Sequence, residues 1–176
     1  MVSLWRRYRK HPVIDLVVTL ATAVLIAYVV QLWVVKPYRI PSASMEDTLL
    51  VSDRILAARF IYHLKDPSRG DIIVFRPNGV GNEPLRVDTG ADTTFVKRLI
   101  GLPGEWIGAS GGKVYVCDGR APDVSATIEQ TPGCRFLDEP YVSSPQDDFG
   151  PERIPTGRYF MMGDNRSNSD DSRSWG

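Results

Sequence analysis

The sequence predicts a mainly β domain, its sheets antiparallel, behind a single membrane-spanning helix at the N-terminus. Three observations carry this. An apolar run of 23 residues, Val13 to Val35, stands near the start. Beyond Pro37 the apolar residues fall into short alternating runs separated by Gly, Pro, Asp and Asn. The chain has 176 residues, enough for one domain with a core of its own plus one appended element. The expected organisation is a cytoplasmic basic N-terminus over 1–12, the helix over 13–35 and an extracytoplasmic domain over 36–176.

The run VIDLVVTLATAVLIAYVVQLWVV is broken only by Asp15, two threonines, a tyrosine and Gln31. At about 1.5 Å per residue, a helix of this length crosses a hydrocarbon layer of about 30 Å. Arg6, Arg7, Arg9 and Lys10 precede it, so residues 1–35 carry +3 and the rest −3, although Lys plus Arg and Asp plus Glu are both 21. Positive flanks stay in the cytoplasm, which places the N-terminus inside and everything after Lys36 outside. Trp33 and Tyr38 suit the outer interface. A cleaved leader would also begin basic, and Ala21-Thr22-Ala23 offers small residues at the right spacing. Apolar character nevertheless continues through LIAYVVQLWVV, where a leader's should stop. A buried core helix would need protein on all sides. The balanced charge gives no support to nucleic-acid binding.

DRILAARFIY, GDIIVF, TTFVKRLIG, GKVYV and RYFMMG are the strand-length runs. RPNGVGNEP and CDGRAPDVSATIEQTPG are loops by composition, and the stretch from Cys117 to Gln146 reads only as an exposed insertion. No strand is followed by a Gly-rich phosphate loop, so nucleotide chemistry has no support. The two cysteines, Cys117 and Cys134, both fall outside the cytoplasm, where disulfides persist. A bond between them is favoured over two free buried thiols. The histidines are His11, on the cytoplasmic side, and His63; one histidine and two distant cysteines make a poor metal-ligand set.

Residues 41–45 read PSASM, with Ser42 and Ser44 shortly after the apolar run. A serine nucleophile needs a base within hydrogen-bond reach. His63, in FIYHLKDP, has nothing around it built to position an imidazole, and a surface histidine is the plainer reading. The other candidate base is Lys97. Strand alternation in TTFVKRLIG puts Phe95, Lys97 and Leu99 on one face and Val96, Arg98 and Ile100 on the other. A lysine between two large apolar side chains is poorly solvated, which lowers its pKa and yields a neutral amine. The alternative is a packed stem whose ammonium reaches water.

PSASM, FVKRLIGLPGE and GDNRSNSDDSR, in that order behind one N-terminal membrane helix, closely resemble type I signal peptidases, membrane-bound Ser/Lys proteases that remove signal peptides from exported proteins. With GDIIVF they run from Pro41 to Arg173. The resemblance implies an antiparallel β-sheet catalytic domain of signal peptidase type. It implies that Ser44 is the nucleophile and Lys97 the general base. Ser42 would join the Ser44 backbone N–H in an oxyanion hole, with Pro41 restricting the turn before them. Met45 and Leu49 would line shallow pockets for small side chains, and Ser169 would orient the lysine amine. Arg98, Asp164, Asp171 and Arg173 would brace the site by ion pairing, and Gly101, Pro103 and Gly104 would shape the turn after the lysine strand. The implied substrate is a preprotein with small residues at the first and third positions before the cut, of the Ala-x-Ala type, with no metal or cofactor required. Expected neighbours are signal peptides, membrane lipid and the export machinery. Ser44 lies nine residues past Val35, so even an extended chain keeps it within roughly 30 Å of the membrane surface.

Two departures stand out. Asp47 occupies a position where the family often has proline, which predicts local backbone variation. The sequence also ends at SRSWG, where family members continue through a further glycine-containing strand; the expectation is either a fragment or truncated product of a longer chain, or a domain truly without that strand, whose sheet would then have an open edge near the site. An inactive anchored relative that only binds signal peptides would not need Ser44, Lys97 and Ser169 together. A self-cleaving regulator of the repressor type shares the dyad, but the anchor and GDNRSNSDDSR argue against it.

Overall fold

The computed structural model describes residues 12–76, 94–122 and 127–175. The basic residues before Pro12 and most of RPNGVGNEP lie outside them. Helix α1 spans Pro12–Trp33, long and apolar enough to cross a membrane, and none of its apolar window is buried by protein. It belongs to a compact unit that runs to Tyr38 and takes in Leu56–Lys65. Strand β1 (Val35–Arg39) follows α1 and pairs with β2 (Arg54–Ala58). The Arg59 N–H donates to the Val34 carbonyl at 2.9 Å, tying the end of β2 to the exit of the helix. DRILAARFIY is therefore strand only in its first half. Its second half closes into a short helix α2 (Ile61–Leu64), with Phe60 and Ile61 carbonyls accepting from His63 and Lys65. Short apolar runs are ambiguous between strand and helix, and local bonding settled this one.

The second unit, Arg39–Ile55 with Asp66–Gly176, holds two antiparallel sheets. In the first, β4 (Phe95–Gly101) lies between β3 (Ile72–Phe75) and β9 (Phe160–Met162). In the second the order is β7 (Cys134–Phe136), β6 (Lys113–Cys117), β5 (Trp106–Ser110), β8 (Phe149–Arg153). β5, β7 and β8 were not among the strand-length runs. The stretch after Cys117 is thus no plain surface insertion: β7 pairs Cys134 with Cys117, and a disulfide joins the two residues.

Alternation along β4 and β9 feeds two cores. Ile100 and Met162 join Ile107, Val114, Val116, Ile154 and Phe160; Leu99 and Met161 pack on the opposite side with Trp175. Trp175 comes from helix α3 (Ser172–Trp175) and meets the Phe75 and Phe95 rings at 6.2 and 6.1 Å between centroids. Such tilted contacts suit the quadrupoles of the rings. Between Leu99 and Gly101 the β4–β9 register slips by one residue, a bulge that lets the strand bend over the first core. A side chain at Gly101 would collide with Ile154 and Phe160 there.

Candidate active site

Ser42 is extended (φ −137°, ψ 161°) and leads into a single 3-10 turn, Ala43–Met45, whose middle residue is Ser44. The two hydroxyl oxygens lie 3.4 Å apart. The turn is stitched to GDNRSNSDDSR by Asn165, whose backbone N–H donates to the Ser44 carbonyl at 3.1 Å and whose side-chain amide donates to the Ala43 carbonyl at 3.1 Å. Thr48 Oγ1 donates to Asp164 Oδ2 at 2.6 Å and secures the far end. A side chain at Gly163 would occupy the space of the Ser44 carbonyl and the Ser169 hydroxyl, so only glycine admits this close approach.

β4 carries Lys97, only 3 % exposed. Its Nζ donates to Ser169 Oγ at 3.0 Å and lies 5.9 Å from the centre of the Phe95 ring. Burial pushes its pKa from 10.5 down to about 8, against the pull of Asp171 and Asp170 and with help from Arg173. Ser42, Ser44, Met45, Phe95, Lys97 and Ser169 line one cleft of about 550 Å³. Leu49, expected beside Met45, is half-buried one turn further on, its N–H donating to the Met45 carbonyl, and does not line this cleft. His63 is exposed on α2, in the other unit.

Two carboxylates, both fully buried, organise the surroundings. Asp164 takes a fork from Arg98, Nε at 2.8 Å and an NH2 at 2.6 Å, while a further Arg98 nitrogen donates to the Gly70 carbonyl. The bond to Asp164 drives the Arg98 pKa upward. Asp171 accepts from the Gly163 N–H at 3.0 Å and from Arg173 at 2.8 Å through both of its oxygens. Paired geometry of this kind is what lets a buried charge persist. Among the described residues no group of three or more His, Cys, Asp and Glu side chains gathers as a metal site.

The family model for signal peptidases, peptidase S26, matches residues 13–176. The chain belongs to that family. It is 38 % identical over 159 residues to a probable signal peptidase I-2 of Synechocystis sp., covering 90 % of this chain and 63 % of that protein. It is 36 % identical over 167 residues to a signal peptidase I of Leptolyngbya laminosa, covering 94 % and 72 %, and 32 % identical over 176 residues to signal peptidase I P of Bacillus subtilis subsp. natto, covering 94 % and 81 %. The chain thus spans a little under two thirds of the first relative's length and more of the other two.

Three features of this signal peptidase family member escaped the sequence reading. Asn165 and Thr48 hold the serine turn, and neither stands out from neighbouring polar residues. The third is Tyr141, whose ring lies 3.8 Å from the Arg98 guanidinium carbon, in a stretch whose composition signals only loop.

Proposed function

We propose that the chain is a membrane-anchored serine endopeptidase that removes signal peptides from exported preproteins with a Ser44/Lys97 dyad. The observation that supports this best is the buried Lys97 amine, held by Ser169 on the wall of the cleft that Ser44 also lines. An amine with a pKa near 8 is partly neutral at physiological pH and can take a proton.

In this reading Lys97 Nζ accepts the Ser44 hydroxyl proton as Oγ attacks the scissile carbonyl. The Ser42 hydroxyl and the Ser44 N–H, which lies in the first turn of its helix where N–H groups lack intrahelical acceptors, face the developing oxyanion. The resulting ammonium returns its proton to the leaving amine, freeing the mature protein and leaving an acyl-enzyme. Water, giving a proton to Lys97, then attacks the ester carbonyl; as the ester C–O bond breaks, Lys97 passes that proton to Ser44 Oγ and the signal peptide leaves with a C-terminal carboxylate. Met45, on the cleft wall, would favour small residues such as Ala-x-Ala before the cut. α1 anchors the chain with its N-terminus inside and the cleft on the extracytoplasmic face, beside lipid and the export machinery.

The test is to purify the full chain in detergent and incubate it with a precursor carrying an Ala-x-Ala site, alongside Ser44→Ala and Lys97→Ala. Cleavage after the second alanine by the parent, lost in both variants, is the expected outcome. An inactive but folded parent, or a Lys97→Ala variant that still cuts, would overturn the dyad.

A further inference from the structure

Beyond the residues that resemble family motifs, the segment between β7 and β8 reaches the catalytic cleft's supports at two points. The first is Tyr141, whose ring covers the Arg98 guanidinium at 3.8 Å on the face left free by the in-plane bonds to Asp164. Arg98 is the residue next to Lys97. The second is Glu139, which accepts from Arg166 through both oxygens, one at 2.9 Å. Arg166, itself 3 % exposed, also bonds the Gly163 carbonyl at 3.0 Å and Gln146 Oε1 at 3.2 Å. It stands three residues before Ser169, and its own carbonyl accepts from Arg173 at 2.9 Å. The Tyr141 hydroxyl donates to Glu139 at 2.9 Å, joining the two points into one strap.

We propose that Glu139 and Tyr141 are positioning residues for the Lys97–Ser169 pair, acting through Arg166 and Arg98; the proposal rests on the reading of Lys97 as the general base. The physical reason is that the two members of the pair sit on separate segments, β4 and the turn after Arg166, 72 residues apart in sequence. Each segment is held from behind by one cation, and the strap holds both cations. Arg166 is almost fully desolvated and without Glu139 would draw water or shift its segment, whereas Arg98 keeps Asp164 and would lose only the ring that covers it. Loss of the strap therefore loosens the bond between Lys97 and Ser169 and admits water to the amine. Of the other charged groups around Lys97, namely Asp171, Asp170 and Arg173, the last is linked to the strap through the Arg166 carbonyl.

The experiment compares the full-length parent in detergent with Glu139→Ala, Glu139→Gln, Tyr141→Leu and Tyr141→Phe. Two readouts are taken: kcat and KM against pH on an Ala-x-Ala precursor, and the pH dependence of Lys97 acetylation by acetic anhydride, followed by mass spectrometry. Tyr141→Phe keeps the ring over Arg98 but loses the hydroxyl bond to Glu139, and should fall between the parent and Tyr141→Leu. Glu139→Ala and Tyr141→Leu should lose roughly tenfold in kcat with KM little changed, the order of effect expected from misplaced catalytic groups. Their Lys97 labelling midpoint should rise from about 8 toward that of a solvated lysine, and Glu139→Gln should fall between. Variants that melt earlier yet keep the parent's kcat and labelling midpoint would overturn the proposal, leaving the strap a purely structural brace. A parent that does not cleave but labels near pH 8, with a midpoint that rises in the variants, would refute the peptidase reading while sustaining the positioning role.

Discussion

Lys97, the proposed general base, is one side chain that meets two opposed demands. Burial disfavours its ammonium, while Asp171 and Asp170 favour it, and burial prevails. The acid limb of kcat/KM should therefore fall near pH 8, with activity rising as the amine loses its proton. Asp170 is exposed on the cleft wall and contributes to Lys97 only through its charge. Replacing it by asparagine removes an anion that stabilises the ammonium, so in Asp170→Asn the limb should move to lower pH. An unchanged or raised limb, measured by initial rates on a precursor from pH 6 to 10, would show that this carboxylate does not reach the amine. At this scale the sequence was informative: β-alternation alone set Lys97 between Phe95 and Leu99. It was silent on Asn165, whose contacts to Ala43 and Ser44 span more than 120 positions.

At the level of elements, the serine turn shows how local backbone follows residue choice. Asp47 adopts φ +66°, in the left-handed region. Proline, fixed near φ −65°, cannot take that conformation, so the chain turns here in a way that a proline at this position would forbid. Aspartate tolerates it at modest cost and glycine at none. Asp47→Pro should thus destabilise by about 3 kcal/mol or more and misplace Ser44, whereas Asp47→Gly should be neutral or stabilise by up to about 1 kcal/mol. Urea melts of the two variants check this, and a stable, active Asp47→Pro would contradict the assigned geometry. β4 was legible as an element because its period is two residues. β7 and β8 were not, since CRF and FGPER are short, polar or interrupted by proline, and only pairing with β6 and β5 makes them strands.

For the molecule as a whole, the buried lysine makes stability depend on pH. In the unfolded chain Lys97 keeps its ordinary pKa of 10.5, and in the native state it is about 8. Between these values the unfolded state binds more protons, so stability rises with pH across that window, and the full penalty applies below pH 8. Lys97→Met should accordingly be more stable than the parent at pH 6.5, by about 3 kcal/mol, and the difference should shrink toward zero above pH 10. Parallel denaturant melts at the two pH values give the comparison, and a constant difference would mean that the amine is already solvated in the native state.

What the sequence determined by itself was whatever depends on neighbouring residues: the length and polarity of α1, the two faces of β4, and the residue types in PSASM, FVKRLIG and GDNRSNSDDSR. Tertiary structure decided which charges meet. Glu139 could have been a solvated loop acid, yet it neutralises Arg166 across 27 positions, and Trp175 completes an aromatic cluster with Phe75 and Phe95 instead of trailing from the last motif. The reason is that hydrophobic periodicity is a short-range signal. Desolvation and ion pairing depend on distances between side chains far apart in the chain, and these exist only once both sheets have packed.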